Sequence, residues 1–349
     1  MSGVVGPRLS SLIFPEFIIL VKTDNAGTSA SDQFTIPVYT LFVTNNYDVD
    51  WGDGNTDKGV STSITHTYAS AGIYTIKISG LHQIYFNGGG DRLKLLEIQN
   101  WGDRGGSLWQ GLRNRFWACE NMEITATDSL IFTGTNGSTQ QAFRDCTNMV
   151  GNASMNTWDV LAVSDWVNTF RNCTNFNSPI GNWDMSGATT LQSMLQECTN
   201  FNQDISSWNV QNNTNFSATL ADCTNFNQDI SSWNVQNVTA FNSMFARASS
   251  FNQNLGAWNL RIAGTNLSSI FFQSGMSTAN YTDTIVSWAN YVFVNGGPLN
   301  TNMSNQSLMT FDTSRSGGAN FANAGDARTY LTTATPTGAG WTISSDTVI

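Results

Sequence analysis

The sequence predicts an α/β repeat solenoid, built from parallel strands plus short helices, preceded by an N-terminal antiparallel β-sandwich and closed by a C-terminal cap. Three observations carry the prediction. A tryptophan recurs every 25 residues, at Trp158, Trp183, Trp208, Trp233 and Trp258, and a fixed period of that size marks a stacked repeat. Each tryptophan sits in the pattern apolar-x-x-Trp-x-apolar, as in Ile205/Trp208/Val210 and Leu255/Trp258/Leu260. Behind it, apolar residues fall at i, i+3, i+4 and i+7, as in Leu191, Met194, Leu195 and Cys198 or Phe241, Met244, Phe245 and Ala248, the spacing of one helical stripe.

In chain order, residues 1–15 read as an N-terminal arm with Val4, Val5, Leu9, Leu12, Ile13 and Phe14 ahead of the first module. Residues 16–81 hold β-rich runs (Phe17 to Val21, Phe34 to Val43, Ile64 to Tyr68, Ile73 to Ile78) separated by Gly, Asn, Asp and Ser clusters, a sandwich pattern. Residues 82–275 form the array. Its strand pattern is that of leucine-rich repeats with tryptophan in the second slot, and Leu93/Leu96/Ile98 and Met122/Ile124/Ala126 supply the first rungs. Phe176, Phe201, Phe226 and Phe251 each lead through an Asn-rich turn into the next strand. Neither face of a repeat can bury its apolar side alone, so the copies must stack. Residues 276–349, with Tyr281, Ile285, Trp288, Tyr330, Leu331 and Trp341, carry enough apolar residues to close the open end, which such arrays require.

Two resemblances follow from motifs. Trp51-Gly52-Asp53-Gly54, His66-Thr67-Tyr68 and Gly72-Ile73-Tyr74-Thr75-Ile76 resemble the PKD-type immunoglobulin-like module. Cys198 to Val210 (CTNFNQDISSWNV) and the nearly identical stretch from Cys223 to Val235 resemble the repeats of BspA-like leucine-rich-repeat surface proteins, with flanking matches from about Asp48 to Ile343. The resemblance implies a non-catalytic adhesion or interaction protein, of bacterial surfaces or of virus and phage genomes. Met1 to Arg8 lacks the basic and long apolar stretches of a secretory leader, and no segment is long enough to span a bilayer. The expectation is therefore a phage or virus particle protein (fibre, tail appendage or capsid decoration), docked to other virion proteins through its arm and sandwich, oligomeric or part of a larger assembly. The alternative is a bacterial cell-surface adhesin of the BspA-like family.

Composition sets limits. Fifteen Lys plus Arg against 25 Asp plus Glu give a net charge of −10, so attraction to nucleic acid is weak. Only 11% of residues are charged, so Asn, Thr, Ser and Gly must cover the surface. Cys119, Cys146, Cys173, Cys198 and Cys223 share one slot of the repeat and read as a small buried ladder. Thiolate metal sites would need close cysteine pairs, which are absent.

If the tryptophans face inward, the outward positions are Thr157, Asn182, Ser207, Ser232 and Ala257 in one row and Asp159, Asp184, Asn209, Asn234 and Asn259 in the next. These form a polar strip on the concave face, and Asp159, Asp184, Asn209, Asn234, Asn259, Ser207 and Ser232 are the candidate ligand-binding residues, suited to a host-surface glycan or to protein main chain. An equal reading is a hydrogen-bonded Asn ladder that only finishes the stack. Catalytic chemistry is thinly represented: His66 and His82 are the two histidines, and Asp159 and Asp184 have no acid/base partner, so no enzyme activity and no cofactor are expected. Asp50, Asp53 and Asp57 around the WGDG turn are a weak Ca²⁺ candidate, with turn capping explaining them at least as well. Gly88-Gly89-Gly90 lacks the Lys-Ser/Thr and helix of a phosphate loop.

Overall fold

The computed structural model describes residues 15–41, 45–102, 111–133, 137–260, 265–296, 301–304, 306, 309–333, 338–344 and 346–349. The described residues are mostly β, with few helices and small, mixed sheets. Of the N-terminal arm only Pro15 lies within them.

The N-terminal unit is built from β1 (Phe17–Lys22), β2 (Gln33–Ile36), β3 (Asn46–Asp50), β4 (Thr56–Val60), β5 (Ile64–Thr67) and β6 (Ile73–Leu81). Alternation decides its inner face: Phe17, Ile19 and Val21 of β1, Tyr47 and Val49 of β3, and Ile76 and Ile78 of β6 are buried. Phe34 and Ile36 of β2, which pairs antiparallel with β5, join the same core. The sheet does not stop at residue 81. Its order is β4-β3-β6-β1-β7-β8, where β7 (Leu95–Asn100) pairs antiparallel with β1 and parallel with β8 (Glu123–Ile124). The Ile98↔Ile124 pairing thus starts the parallel stacking at the positions expected for the first rungs. A buried ion pair reinforces the junction. Asp91 accepts from the Thr28, Ser29 and Thr35 amides, and Lys94 Nζ donates to the Ser29, Ala30 and Gln33 carbonyls, with both side chains fully buried.

From here parallel pairing climbs in steps of about one repeat. β9 (Gly137–Ser138) pairs with β10 (Val163–Asp165), and single bridges continue the column as Asp165↔Thr190↔Asn215↔Ala240↔Asn266↔Asn302. This corrects the predicted strand and helix positions. The Trp segments are turns, irregular chain and, at Ala153–Thr157 and Met185–Gly187, short 3-10 helices rather than strands, and no α-helix occurs among the described residues of the repeats.

The expected helix is replaced by consecutive β-turns. Met194 N–H donates to Leu191 C=O, Cys198 N–H to Leu195 C=O and Phe201 N–H to Cys198 C=O, at 3.0–3.1 Å. Ser193 and Glu197, the third residues of the first two turns, have φ of +52° and +65°, as in type II turns. Two four-residue turns place apolar residues at i, i+3, i+4 and i+7, so one spacing fits both structures. The turns free alternate amides: Leu191, Ser193, Leu195 and Glu197 donate to Asn215, Ser217, Thr219 and Ala221 of the next copy at 2.8–3.1 Å. A left-handed non-glycine residue costs about 1–2 kcal/mol, and inter-copy hydrogen bonds worth about 1 kcal/mol each offset it. The pattern recurs at Ala218 and Asp222 and at Ser243 and Arg247.

The C-terminal segment takes over the place of a further copy. α1 (Thr278–Asn295) opens with a Ser277 cap and ends at Gly296, whose φ is +74°. Its Trp288 Nε1 donates to Leu255 C=O at 3.0 Å, and its Thr284 Oγ1 accepts from Leu255 N–H. Buried Gln306 reaches back to Leu267 C=O and to Phe271 N–H. Two parallel pairs, β11 (Asn302–Met303) with β13 (Thr342–Ile343) and β12 (Thr310–Phe311) with β14 (Thr347–Val348), and α2 (Ala324–Thr332) complete this end.

Candidate functional site

The interior of the repeats is taken up by columns of like residues bonding to one another. Trp158, Trp183, Trp208, Trp233 and Trp258 are at most 4% exposed, and neighbours stack with centroids 5.8 Å (Trp158/Trp183), 6.5 Å (Trp183/Trp208) and 6.1 Å (Trp208/Trp233) apart. Each indole N–H from Trp183 onward donates to a carbonyl of the preceding copy: Met155, Ile180, Ile205 and Ile230 in turn, at 2.6–3.1 Å. The row is therefore structural on both counts, apolar face and polar edge.

The five cysteines are free and buried. The thiols of Cys146, Cys173, Cys198 and Cys223 donate to carbonyls of the preceding copy, as Cys173 Sγ does to Phe143 and Cys198 Sγ to Phe170 at 2.9 and 3.0 Å. Burial pushes these thiols above their ordinary range, which makes them poor nucleophiles and metal ligands.

An asparagine ladder exists, but in a different column from the strip. Asn177, Asn202 and Asn227 each accept, through Oδ1, the backbone N–H of the equivalent Asn one copy later and the side-chain amide of the following Gln, at 2.8–3.0 Å. Asn252 does the same for Ser277 and Asn280 at the entry to α1. The Asn-Gln pairs Asn202-Gln203, Asn227-Gln228 and Asn252-Gln253 are thus inter-copy fasteners.

Asp159, Asp184, Asn209, Asn234 and Asn259 are all exposed, as are Thr157, Asn182, Ser207, Ser232 and Ala257. Asp159, Asp184, Asn209 and Asn234 each use Oδ1 to accept the N–H two residues on, at 3.0–3.4 Å, the Asx-turn bond. The Ser186 hydrogen bonds hold the Asp184 carboxyl below its usual range, so it stays charged. Ser207 and Ser232 donate to Gly181 C=O and Ser206 C=O of the preceding copy, at 2.6 and 3.1 Å. One side-chain oxygen of each of Asp159, Asp184, Asn209, Asn234, Ser207 and Ser232 is therefore engaged locally. The Asn209 and Asn234 side-chain amino groups meet no protein acceptor among the described residues. Beside the row, Asp204, Gln228, Asp229 and Ser232 line a shallow groove of about 370 Å³.

Around the WGDG turn the three aspartates are parted by separate partners. Asp50 accepts from Gly52 N–H, Asp57 from Trp51 Nε1 at 2.8 Å, and Asp53 from Asn55 N–H while meeting His66 Nε2 at 2.8 Å. Burial opposes ionisation of Asp53, yet the His66 and Asn55 hydrogen bonds outweigh it and hold its pKa at about 2. Among the described residues no group of three or more His, Cys, Asp or Glu is placed to hold a metal ion. Asp50 and Asp53 thus cap their own turn, and Asp57 holds the Trp51 indole edge. Gly52, at φ +79°, is required there, since a Cβ would lie 2.4 Å from Thr75 O. The His66–Asp53 pair, capped by Trp51 stacked on His66 at 4.8 Å, is a constellation that motif reading passed over.

The family model described as "Mycoplasma protein of unknown function, DUF285" matches residues 137–258 and, in an overlapping placement, 165–288. Together the two placements span less than half of the chain. Searches of curated proteins and of solved structures returned no match. The family match supports a BspA-like surface repeat protein, and it accords better with the adhesin reading than with a virion role.

Proposed function

We propose that the chain is a non-enzymatic attachment protein of the BspA-like surface kind, displayed on a bacterial cell surface. Its repeats act as a leucine-rich-repeat-type solenoid, and its N-terminal unit as a PKD-like module packed around Trp51, His66 and Tyr68. One observation carries the reading. Tryptophan, cysteine and the Asn-Gln pair are consumed by bonds between copies, whereas the Asp/Asn row from Asp159 to Asn259 is exposed once per copy. Parallel bridges imply rungs ~4.8 Å apart, so an extended glycan or peptide on a host surface meets several equivalent amides and carboxylates. Each contact is weak and their sum is useful.

The Asp159 and Asp184 carboxylates cap their own turns and His66 meets Asp53, which supports reading the chain as non-enzymatic. The test is adhesion of beads coated with the purified protein to immobilised host-surface glycoproteins. Saturable binding, blocked by soluble protein, is the expected result. Beads that behave like uncoated beads across a broad panel count against attachment.

A further inference from the structure

Away from the repeat row, a cleft of about 460 Å³ opens where the N-terminal unit meets the first turns of the array. Its volume lies within the range of small-molecule sites, ~300–1,000 Å³. Three distant stretches converge on it. The Val38↔Ile84 bridge brings Tyr39 and Tyr85 together, and their half-buried rings lie 5.1 Å apart at 59°. The turn segment after Gly111 adds Arg113, Asn114 and Arg115.

Arg115 is buried in the wall, where it donates to Gly111 C=O, Ile84 C=O and Gln83 Oε1, all neutral acceptors. Arg113 is exposed at the cleft and makes no hydrogen bond or ion pair among the described residues. No carboxylate is among the described residues that line the cleft. In a chain with 25 acidic and 15 basic residues, the exposed Arg113 guanidinium, with no carboxylate among the described lining residues, makes a local positive site in an otherwise negative molecule.

We propose that this cleft binds a carboxylate-bearing sugar residue, with the Tyr39 and Tyr85 rings against its C–H faces and the Arg113 guanidinium on its carboxylate. The chemistry selects the class. Aromatic faces carry negative charge density and pack against polarised C–H bonds. A guanidinium pairs with a carboxylate through two parallel hydrogen bonds. The phenol hydroxyls and the Gln83 and Asn114 amides suit sugar hydroxyls. A bare inorganic anion would leave the two tyrosines without a role, and a purely apolar ligand would leave Arg113 without one. The site lies outside the repeat row and does not rest on the attachment reading, because free monosaccharides test it without any cell.

The experiment is calorimetric or NMR titration of the full chain with methyl glucuronide, with methyl glucoside, which lacks the carboxylate, and with acetate, which lacks the sugar. Glucuronide should bind saturably and at least about tenfold tighter than either control, as one charge-assisted hydrogen-bonded pair allows. Arg113→Gln should remove that preference without moving the melting temperature, since Arg113 supports no fold contact. Tyr85→Leu should weaken both sugars. Indistinguishable glucuronide and glucoside, acetate competing as well as glucuronide, no saturable glucuronide binding, or parent-like binding by the Arg113→Gln protein would each overturn the assignment.

Discussion

Replacing Trp208 by Phe, and comparing it with the same change at Trp158, isolates the indole hydrogen bond that links adjacent copies. Both side chains are buried, 3% and 4% exposed, and both stack on a neighbouring tryptophan. The loss of indole area, roughly 40–50 Å² at ~25 cal/mol/Å², is about 1 kcal/mol at either site and cancels in the comparison. The polar edges differ. Trp208 Nε1 donates to Ile180 C=O at 2.9 Å, whereas Trp158 Nε1 is buried with no partner among the described residues. Trp208→Phe therefore also loses a hydrogen bond worth about 0.5–1.5 kcal/mol, while Trp158→Phe removes an unsatisfied donor whose burial costs about 1–3 kcal/mol. The expected order is Trp208→Phe less stable than Trp158→Phe by at least about 1 kcal/mol. Urea unfolding gives the answer as a shift in midpoint, read only where the slope is unchanged. Equal midpoints, or Trp158→Phe the weaker, would refute the claim that the indole edge fastens the copies.

Further outcomes follow from the same contacts. Lys94→Met leaves the Asp91 carboxylate buried without its cation and should cost about 3–5 kcal/mol by urea unfolding. Asp53 titrates at about 2 in the fold, below its ordinary 3.8, so its contribution is full above about pH 4 and lost as pH falls through 2. The parent should accordingly lose more stability over that window than Asp53→Asn does, as followed by thermal melting. The five cysteine thiols, held above their ordinary range by burial, should resist a thiol reagent at pH 8 in the native protein and react fully in denaturant.

The period, the inward face of the tryptophans and the burial of the cysteines were legible, because each is fixed by which residues must leave water. Local backbone type was not. Leu191, Met194, Leu195 and Cys198 fit one helical stripe or two consecutive turns equally well, and only inter-copy pairing, a non-local property, selects the turns. A signal was available in the recurrence of Asn at left-handed positions, Asn114, Asn168 and Asn172, a residue that tolerates positive φ more readily than most. The Asp/Ser/Asn-rich surroundings of Trp208 and Trp233 likewise favoured turns over strands. Of the site, the exposed rows were recoverable from the inward tryptophan alone. The Asn ladder was placed one column away because Asn202 and Asn209 are equally polar, and only backbone geometry shows which one spans copies. The Tyr39/Tyr85/Arg113 cleft joins segments 46 and 28 residues apart, a separation at which no spacing rule operates.

The central claim, that recognition resides in the exposed Asp/Asn row, is tested most directly by Asn209→Lys with Asn234→Lys in the coated-bead assay. Both residues point away from the core and bond only within their own turns. The double variant should melt within about 1 °C of the parent, since surface changes of this kind fall within about ±0.5 kcal/mol. Its adhesion to the glycoprotein surface should fall severalfold, because two consecutive rungs lose the same contact. Undiminished adhesion by a normally folded double variant would contradict the account.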